Sequence, residues 1–262
     1  MTILNTFLHR IPLSIIVLIL LTSVLLFYFF GAKLGKYKRL HNPDAKAEGI
    51  GPLEGALLGL LSLLLSFTFG MSASRYDARK ALIVKEANNI GTVILRSDMY
   101  ADSIRTQFRK ELQEYVEARI AYYEADGDKA INEQLAKAEA ISATVWKRAA
   151  SLAKESLNVV RDNQMISALN EMIDIVTSRD AGRQATVPDL IIYLLISLTV
   201  LGSFIVGYSK KEKKNDWIIF TLYTLMTVMT IYTILDLDQS RRGLIQTGTP
   251  HEKIIELRNY FN

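Results

Sequence analysis

Four stretches of the chain combine high hydrophobicity with almost no charge. Ile11–Phe30, Leu190–Ser209 and Trp217–Leu235 contain no charged residue, and Ile50–Ser74 contains only Glu54. A helix needs about 20 residues to cross the hydrocarbon core of a bilayer, and all four stretches come close to or exceed that length. The pattern therefore predicts four transmembrane helices and a multi-pass protein of the cell (inner) membrane.

The four predicted spans form two hairpins separated by a hydrophilic segment. We divide the chain into a first hairpin (1–71), a helical domain (72–187), a second hairpin (188–240) and a short tail (241–262). The domain has no proline and few glycines, which favours helix. Apolar residues recur in it at spacings of three and four, and so predict four amphipathic helices: Ile83, Ala87, Ile90, Ile94; Ile104, Phe108, Leu112, Tyr115; Ile131, Leu135, Ala138, Ile141, Val145; and Ile166, Leu169, Ile173, Val176. The predicted fold is an all-α integral membrane protein with an inserted amphipathic helical bundle.

Composition excludes several kinds of chemistry. The chain has no cysteine, its three histidines are far apart in sequence, and it lacks a phosphate-binding glycine loop and a nucleophile elbow. We therefore expect neither an enzyme nor a cofactor. The net charge of +4 comes from bases beside the spans, which favours contact with anionic lipid over nucleic acid.

Two acidic residues, Asp236 and Asp238, follow the fourth span directly. Two carboxylates alone make a weak oxygen site for a divalent cation. The favoured interpretation is a helix end that pairs with Arg79, Arg241 or Arg242.

The orientation in the membrane depends on a narrow balance of charges. Four spans place both termini and the domain on one side and the two hairpin loops on the other. Each side carries nine bases near the spans: Lys33, Lys36, Lys38, Arg39, Lys46, Lys210, Lys211, Lys213 and Lys214 in the loops, and Arg10, Arg75, Arg79, Lys80, Lys85, Arg179, Arg183, Arg241 and Arg242 on the domain side. The density of the loop charges favours cytoplasmic loops, so we expect the domain and termini outside the cytoplasm.

The second span carries two neighbouring stripes in a helical projection. The first, here the leucine stripe, would form an apolar constriction of the kind that gates ions by dewetting; it comprises Glu54, Leu58, Leu61, Leu65, Phe69, Ser72, Tyr76 and Arg79. Leu and Phe at this spacing also fit a helix that faces lipid or core. The second, the small-residue stripe, allows close helix packing in lipid; it comprises Gly55, Gly59, Ser62, Ser66 and Gly70.

The segment at the end of this span resembles the corresponding segment of bestrophins, with small residues, a tyrosine, a charged step and an arginine in Ser72–Arg79. The resemblance is closer to the bacterial bestrophin-like domain family. It extends to Glu86-Ala87-Asn88 with Gly91, to Leu169–Asp174, and to Leu235–Asp238 with Arg242–Ile245. It implies a ring of subunits, five in bestrophins, whose second spans line a path for inorganic ions.

The chain also departs from the bestrophin pattern. It lacks the tryptophan pair after the Tyr/Arg segment and an acidic cluster long enough for a calcium clasp. The resemblance therefore carries over neither calcium control nor ion selectivity. Two hypotheses remain, an oligomeric ion channel and a non-conducting membrane sensor that uses the helical domain.

Overall fold

The computed structural model describes residues 11–41, 50–155, 157–210, 217–239, 243–245 and 248–262. All regular structure in these residues is helical, which confirms the predicted all-α class. The helices are α1 (Leu13–His41), α2 (Ile50–Ser97), α3 (Asp102–Glu124), α4 (Asp128–Glu155), α5 (Val159–Gln184), α6 (Asp189–Ser209), α7 (Trp217–Asp238) and α8 (Gly248–Ile255), followed by a 3₁₀ helix (Glu256–Phe261).

The chain divides into two compact units. The membrane unit comprises Met1–Tyr76 and Thr186–Gln246, and the helical domain comprises Asp77–Ala185 and Thr247–Asn262. The boundaries differ by a few residues from the predicted ones, and the predicted separate tail (241–262) is divided between the two units. Ile254 and Leu257 are buried in the core of the helical domain, so the last residues belong to that domain.

The membrane unit contains the four predicted spans. Helices α1, α6, α7 and the first half of α2 are long and apolar enough to cross a bilayer. Proline occurs where helices tolerate it: Pro52 lies in the first turn of α2, and Pro188 immediately precedes α6. Because no proline interrupts α2 afterwards, it continues as one helix to Ser97, as the spacing of Ile83, Ile90 and Ile94 predicted.

Glycines bring α1 and α6 into backbone contact. A Cβ atom on Gly31 or Gly35 would overlap backbone atoms of α6, and one on Gly207 would overlap backbone atoms of α1. Such close approach is a common way for helices to associate in lipid, where apolar side chains gain little by leaving the solvent. The apolar core of the membrane unit includes Leu20, Val24, Leu195, Val228 and Ile231.

The helical domain has a separate apolar core. Helices α2 and α3 contribute the residues that the three-and-four spacing predicted, with Ile104 only partly buried, and α8 adds Ile254. The prediction is less accurate for the other two helices: α4 contributes Ala138 and Val145 but not Leu135, and α5 contributes Leu169 together with Met165, Ala168 and Met172 rather than Ile166, Ile173 and Val176. Among the most buried are Ile90, Ile94, Phe108, Leu112, Val145, Leu169 and Met172. Asn158 starts α5, since its side chain accepts a hydrogen bond from the backbone N–H of Arg161 at 3.1 Å.

Candidate functional site

Helix α2 presents one face to its own protomer and leaves the other uncovered. Leu61, Thr68 and Ser72 are fully buried, and all three lie on one side of the helix. Leu61 belongs to the apolar core of the membrane unit. The burial pattern therefore identifies the side of α2 that packs against the rest of the chain.

The small-residue stripe lies on the uncovered side of α2. Gly55, Gly59, Ser62, Ser66 and Gly70 are all exposed. No atom lies within 4 Å of a Cβ placed on any of its three glycines. In the described part of the chain, the stripe is thus not used for packing within the protomer.

The leucine stripe is divided between the two sides. Leu61 is only 1% exposed, and Ser72 and Arg79 are also buried, so these three side chains lie inside the protomer. Glu54, Leu58, Leu65 and Tyr76 are half-buried, and Phe69 is 42% exposed. A leucine every three or four residues fits both a pore wall and a packed core, and the structure places Leu61 in the core.

The large apolar side chains on the uncovered side are ones that the sequence analysis did not select. Leu63 is 53% exposed and Phe67 is 63% exposed. At about 100° per residue, Leu63 lies about 160° from Leu61 around the helix, and Phe67 about 120°. Phe69 lies only about 80° from Leu61, closer to the covered side. The helical projection contained this information, but it could not show which side the protomer covers.

Asp236 and Asp238 bind backbone amides. The Asp236 carboxylate accepts hydrogen bonds from the N–H groups of Leu244 at 3.0 Å and Ile245 at 2.8 Å. Gly243 packs directly against this carboxylate with φ of 122°, a conformation that favours glycine. The residue order Asp-x-Asp after the span therefore holds the next turn of the chain in place.

The second acid ties the two ends of the second hairpin together. Asp238 accepts the N–H of Val187 at 3.0 and 2.9 Å, just before α6 begins, and Arg75 Nη1 lies 3.9 Å from it. Of the three expected partners, Arg241 and Arg242 lie outside the described residues, and Arg79 is buried. Within the described ranges no group of three or more acidic or histidine side chains could hold a metal ion.

A buried group of charges in the helical domain escaped the sequence analysis. Glu86 on α2 accepts a hydrogen bond from Arg119 Nε at 2.5 Å and another from Arg179 Nη1 on α5. Glu86 and Arg119 are at most 1% exposed. The Arg119 guanidinium also lies 4.3 Å from the ring centroid of Tyr122. The sequence contained an indication that Glu86 is buried, because it stands three residues after Ile83 on the apolar face of α2.

Residues that carry the family resemblance make structural contacts in this domain. The Asn89 side chain, next to Asn88, donates to the carbonyl of Glu171 at 2.8 Å and so joins α2 to α5. A Cβ on Gly91 would lie 3.5 Å from the Leu257 side chain, which is an ordinary van der Waals distance, so the C-terminal segment packs beside this position of α2. The Glu86–Gly91 and Leu169–Asp174 motifs thus meet at helix contacts.

Comparison with known proteins gives a consistent result. The model of the bestrophin-like domain matches residues 50–249. No curated protein matches the chain. A tryptophan-to-alanine variant of a bacterial bestrophin homologue from Klebsiella pneumoniae has a TM-score of 0.71 at 11% identity, covering 95% of this chain and 97% of its own. Another structure of a bestrophin homologue from the same organism has a TM-score of 0.61 at 14% identity, covering 94% and 98%. The resemblance found in the sequence is therefore confirmed, and the chain belongs to the bestrophin-like domain family.

Proposed function

We propose that the chain is one subunit of an oligomeric, bestrophin-like ion channel in which α2 lines the path for inorganic ions. The family supports the class of function. The observation that carries the proposal is the uncovered side of α2, where Gly55, Gly59, Ser62, Ser66 and Gly70 face away from the protomer. A ring of five subunits follows by analogy with bestrophins.

The composition of this side favours a subunit contact or an aqueous path over lipid. Small residues on a membrane helix are the ones that allow another helix to approach closely. Lipid-facing positions of this protein look different, because α1 exposes Leu18, Leu26, Phe29 and Phe30. A helix at the centre of a ring needs one side of small residues and a neighbouring side that packs into the core of its own subunit.

The narrowest part of the path is then formed by side chains opposite the covered side. If the remaining helices of each subunit pack outside α2, the direction away from Leu61 points toward the ring axis. Leu63 and Phe67 lie in that direction and are exposed in the protomer. We therefore assign the apolar neck to them, with Phe69 from the leucine stripe at the border toward the next subunit.

Two phenylalanines on the same helix test this assignment. In liposomes that contain the full chain, Phe67→Ala should widen the neck and raise ion flux severalfold, because a wider apolar ring wets more easily. Phe69→Ala should change flux much less, and Phe29→Ala on the exposed face of α1 is the control for lipid contact.

The outcomes separate the alternatives. A large increase with Phe69→Ala and none with Phe67→Ala would restore the leucine stripe as the neck. Background flux in the wild type and in every variant, under voltage and with calcium, would reject the channel and leave the non-conducting sensor.

The oligomer has its own test. Gly59→Leu places a large side chain on the small-residue stripe, where the protomer itself has free space. The protomer should fold, but native mass measurements should shift toward smaller species. An unchanged oligomer would remove the stripe from the subunit contact.

We also propose that the helical domain and both termini lie outside the cytoplasm, since the loop bases are denser than those on the domain side. A reporter that works only in the cytoplasm, fused after Asn262, should then stay silent. A strong signal would place the domain in the cytosol, as in bestrophins.

A further inference from the structure

An aromatic seam runs between α1 and α6 toward the loop end of the first hairpin. The ring centroids of Phe30 and Phe204 are 6.0 Å apart, and those of Phe204 and Tyr208 are 6.3 Å apart. Lys38 Nζ lies 6.0 Å from the Tyr208 centroid. The seam thus ends at a cation, and the glycine contacts of α1 with α6 hold its two walls together.

Lys38, Arg39 and Lys210 supply the positive charge at the end of α1 and α6. Besides Lys38, Arg39 Nη1 donates to the carbonyl of Tyr208 at 3.2 Å, and Lys210 Nζ lies 5.9 Å from the Tyr28 centroid. The partners that the structure describes for these three side chains are rings and a carbonyl, not carboxylates. Helix α1 contains no acidic residue, and the only one in α6 is Asp189 at its opposite end. The positive charge of this cluster is therefore not neutralised within the two helices.

An exposed apolar track on α1 leads to the cluster. Leu26, Phe30 and Leu34 are 63%, 61% and 41% exposed, and their four-residue spacing continues to Lys38. The charges begin at Lys33, after an uncharged helix from Leu13 of about 30 Å. This depth places the track against acyl chains and the cations at the level of phosphate groups.

We propose that the α1–α6 seam binds an acidic phospholipid. Lys38, Arg39 and Lys210 bind its phosphate and negative headgroup, and one acyl chain lies along Leu26, Phe30 and Leu34. The two halves of the ligand match the two parts of the surface: an acyl chain covers the apolar track, and a negative headgroup complements the cations, which the acidic residues of α1 and α6 do not neutralise.

The test uses the full chain in bilayer discs made of equal parts phosphatidylglycerol and phosphatidylcholine, with the lipids that remain bound identified by native mass spectrometry. The wild type should retain phosphatidylglycerol in preference to phosphatidylcholine. Lys38→Gln combined with Arg39→Gln should lower this preference about thirtyfold, and Lys210→Gln alone about fivefold. Lys210→Gln keeps the test informative if the double variant does not fold.

Two further variants act as controls. Lys129→Gln with Lys137→Gln removes the same charge from exposed positions of α4 and should leave retention unchanged. Lys38→Arg with Arg39→Lys keeps both charges and should retain the lipid. Equal retention of the two lipids by the wild type, or an equal loss in the α4 variant, would overturn the proposal. So would a rise in melting temperature with inorganic phosphate alone as large as that with phosphatidylglycerol, because the site would then bind a soluble anion.

Discussion

The membrane unit and the helical domain hold their helices together by different means. In the membrane unit α1 and α6 meet through backbone, at Gly31, Gly35 and Gly207. In the helical domain, large apolar side chains fill the space between helices, and Glu86 with its two arginines lies among them. Water favours burial of apolar area and thus large side chains, whereas lipid offers little gain from it and favours close contact.

The two units also use carboxylates differently. In the membrane unit Asp236 and Asp238 accept backbone N–H groups where the chain leaves α7 and enters α6. These bonds satisfy backbone amides of the non-helical segments before α6 and after α7, which have no partner within a helix. In the helical domain the buried Glu86 is bound by two guanidinium groups, and its negative charge compensates their positive charge.

The largest effect should come from Glu86→Gln. The substitution leaves the buried guanidinium of Arg119 without its counter-charge, and loss of one partner of a buried pair typically costs about 3–5 kcal/mol. The free energy of unfolding of the helical domain, followed by hydrogen exchange of α3 amides in the intact protein, should fall by that amount. Glu111→Gln is the control, because its partner Arg148 is 31% exposed and the loss should be much smaller. Similar losses in both variants would mean that burial does not increase the contribution of the Glu86 ion pairs to the free energy of unfolding.

A smaller effect should follow Gly207→Ala in the membrane unit. The new methyl group would overlap backbone atoms of α1, which cannot rotate away as a side chain can. Overpacking of this kind typically costs about 1–3 kcal/mol. Thermal unfolding in detergent should show the loss, whereas Gly51→Ala, which meets no atom within 4 Å, should leave the melting temperature almost unchanged. Equal melting temperatures for the two variants would argue against backbone contact between α1 and α6.

The sequence predicted the features that depend on the spacing of apolar residues. It did not predict those that depend on which helices contact each other. Uncharged stretches identified the spans, and three-and-four spacing identified residues such as Ile90 and Leu112 as core. The same spacing in α2 was ambiguous, since Leu61 and Leu63 are equally apolar but lie on opposite sides. The side that the protomer covers is set by the rest of the membrane unit, whose apolar core includes Leu61. A projection of α2 alone contains no information about those contacts.

The sequence also did not predict which helix backbones approach each other closely or which groups bind the acidic side chains. Gly31 and Gly35 stand four residues apart, yet nothing in the sequence names Gly207 as lying on the helix they contact. An arginine does lie beside Asp238, but it is Arg75 at 3.9 Å, which the prediction did not name. The bond from the amide of Val187 could not be predicted, because backbone amides are present at every residue and leave no compositional signal. This bond spans 51 residues and appears only once the second hairpin is formed.

The smallest effect should come from an ion pair on the surface of the helical domain. Arg258 donates to Glu117 through Nε and Nη2, both at 2.7 Å, but the two side chains are 49% and 46% exposed. Water screens such a pair, so Arg258→Gln should lower the free energy of unfolding by less than about 1 kcal/mol.

The hydrogen bond from Arg258 holds the pKa of Glu117 below its ordinary value of 4.5, although burial acts in the opposite direction. The pair therefore contributes fully above pH 4.5, and its contribution is lost as the pH falls below that value. Unfolding curves of the wild type and of Arg258→Gln should differ slightly at neutral pH and converge in acid. A difference as large as that of Glu86→Gln, or one that grows in acid, would show that exposure does not separate the two kinds of ion pair in this domain.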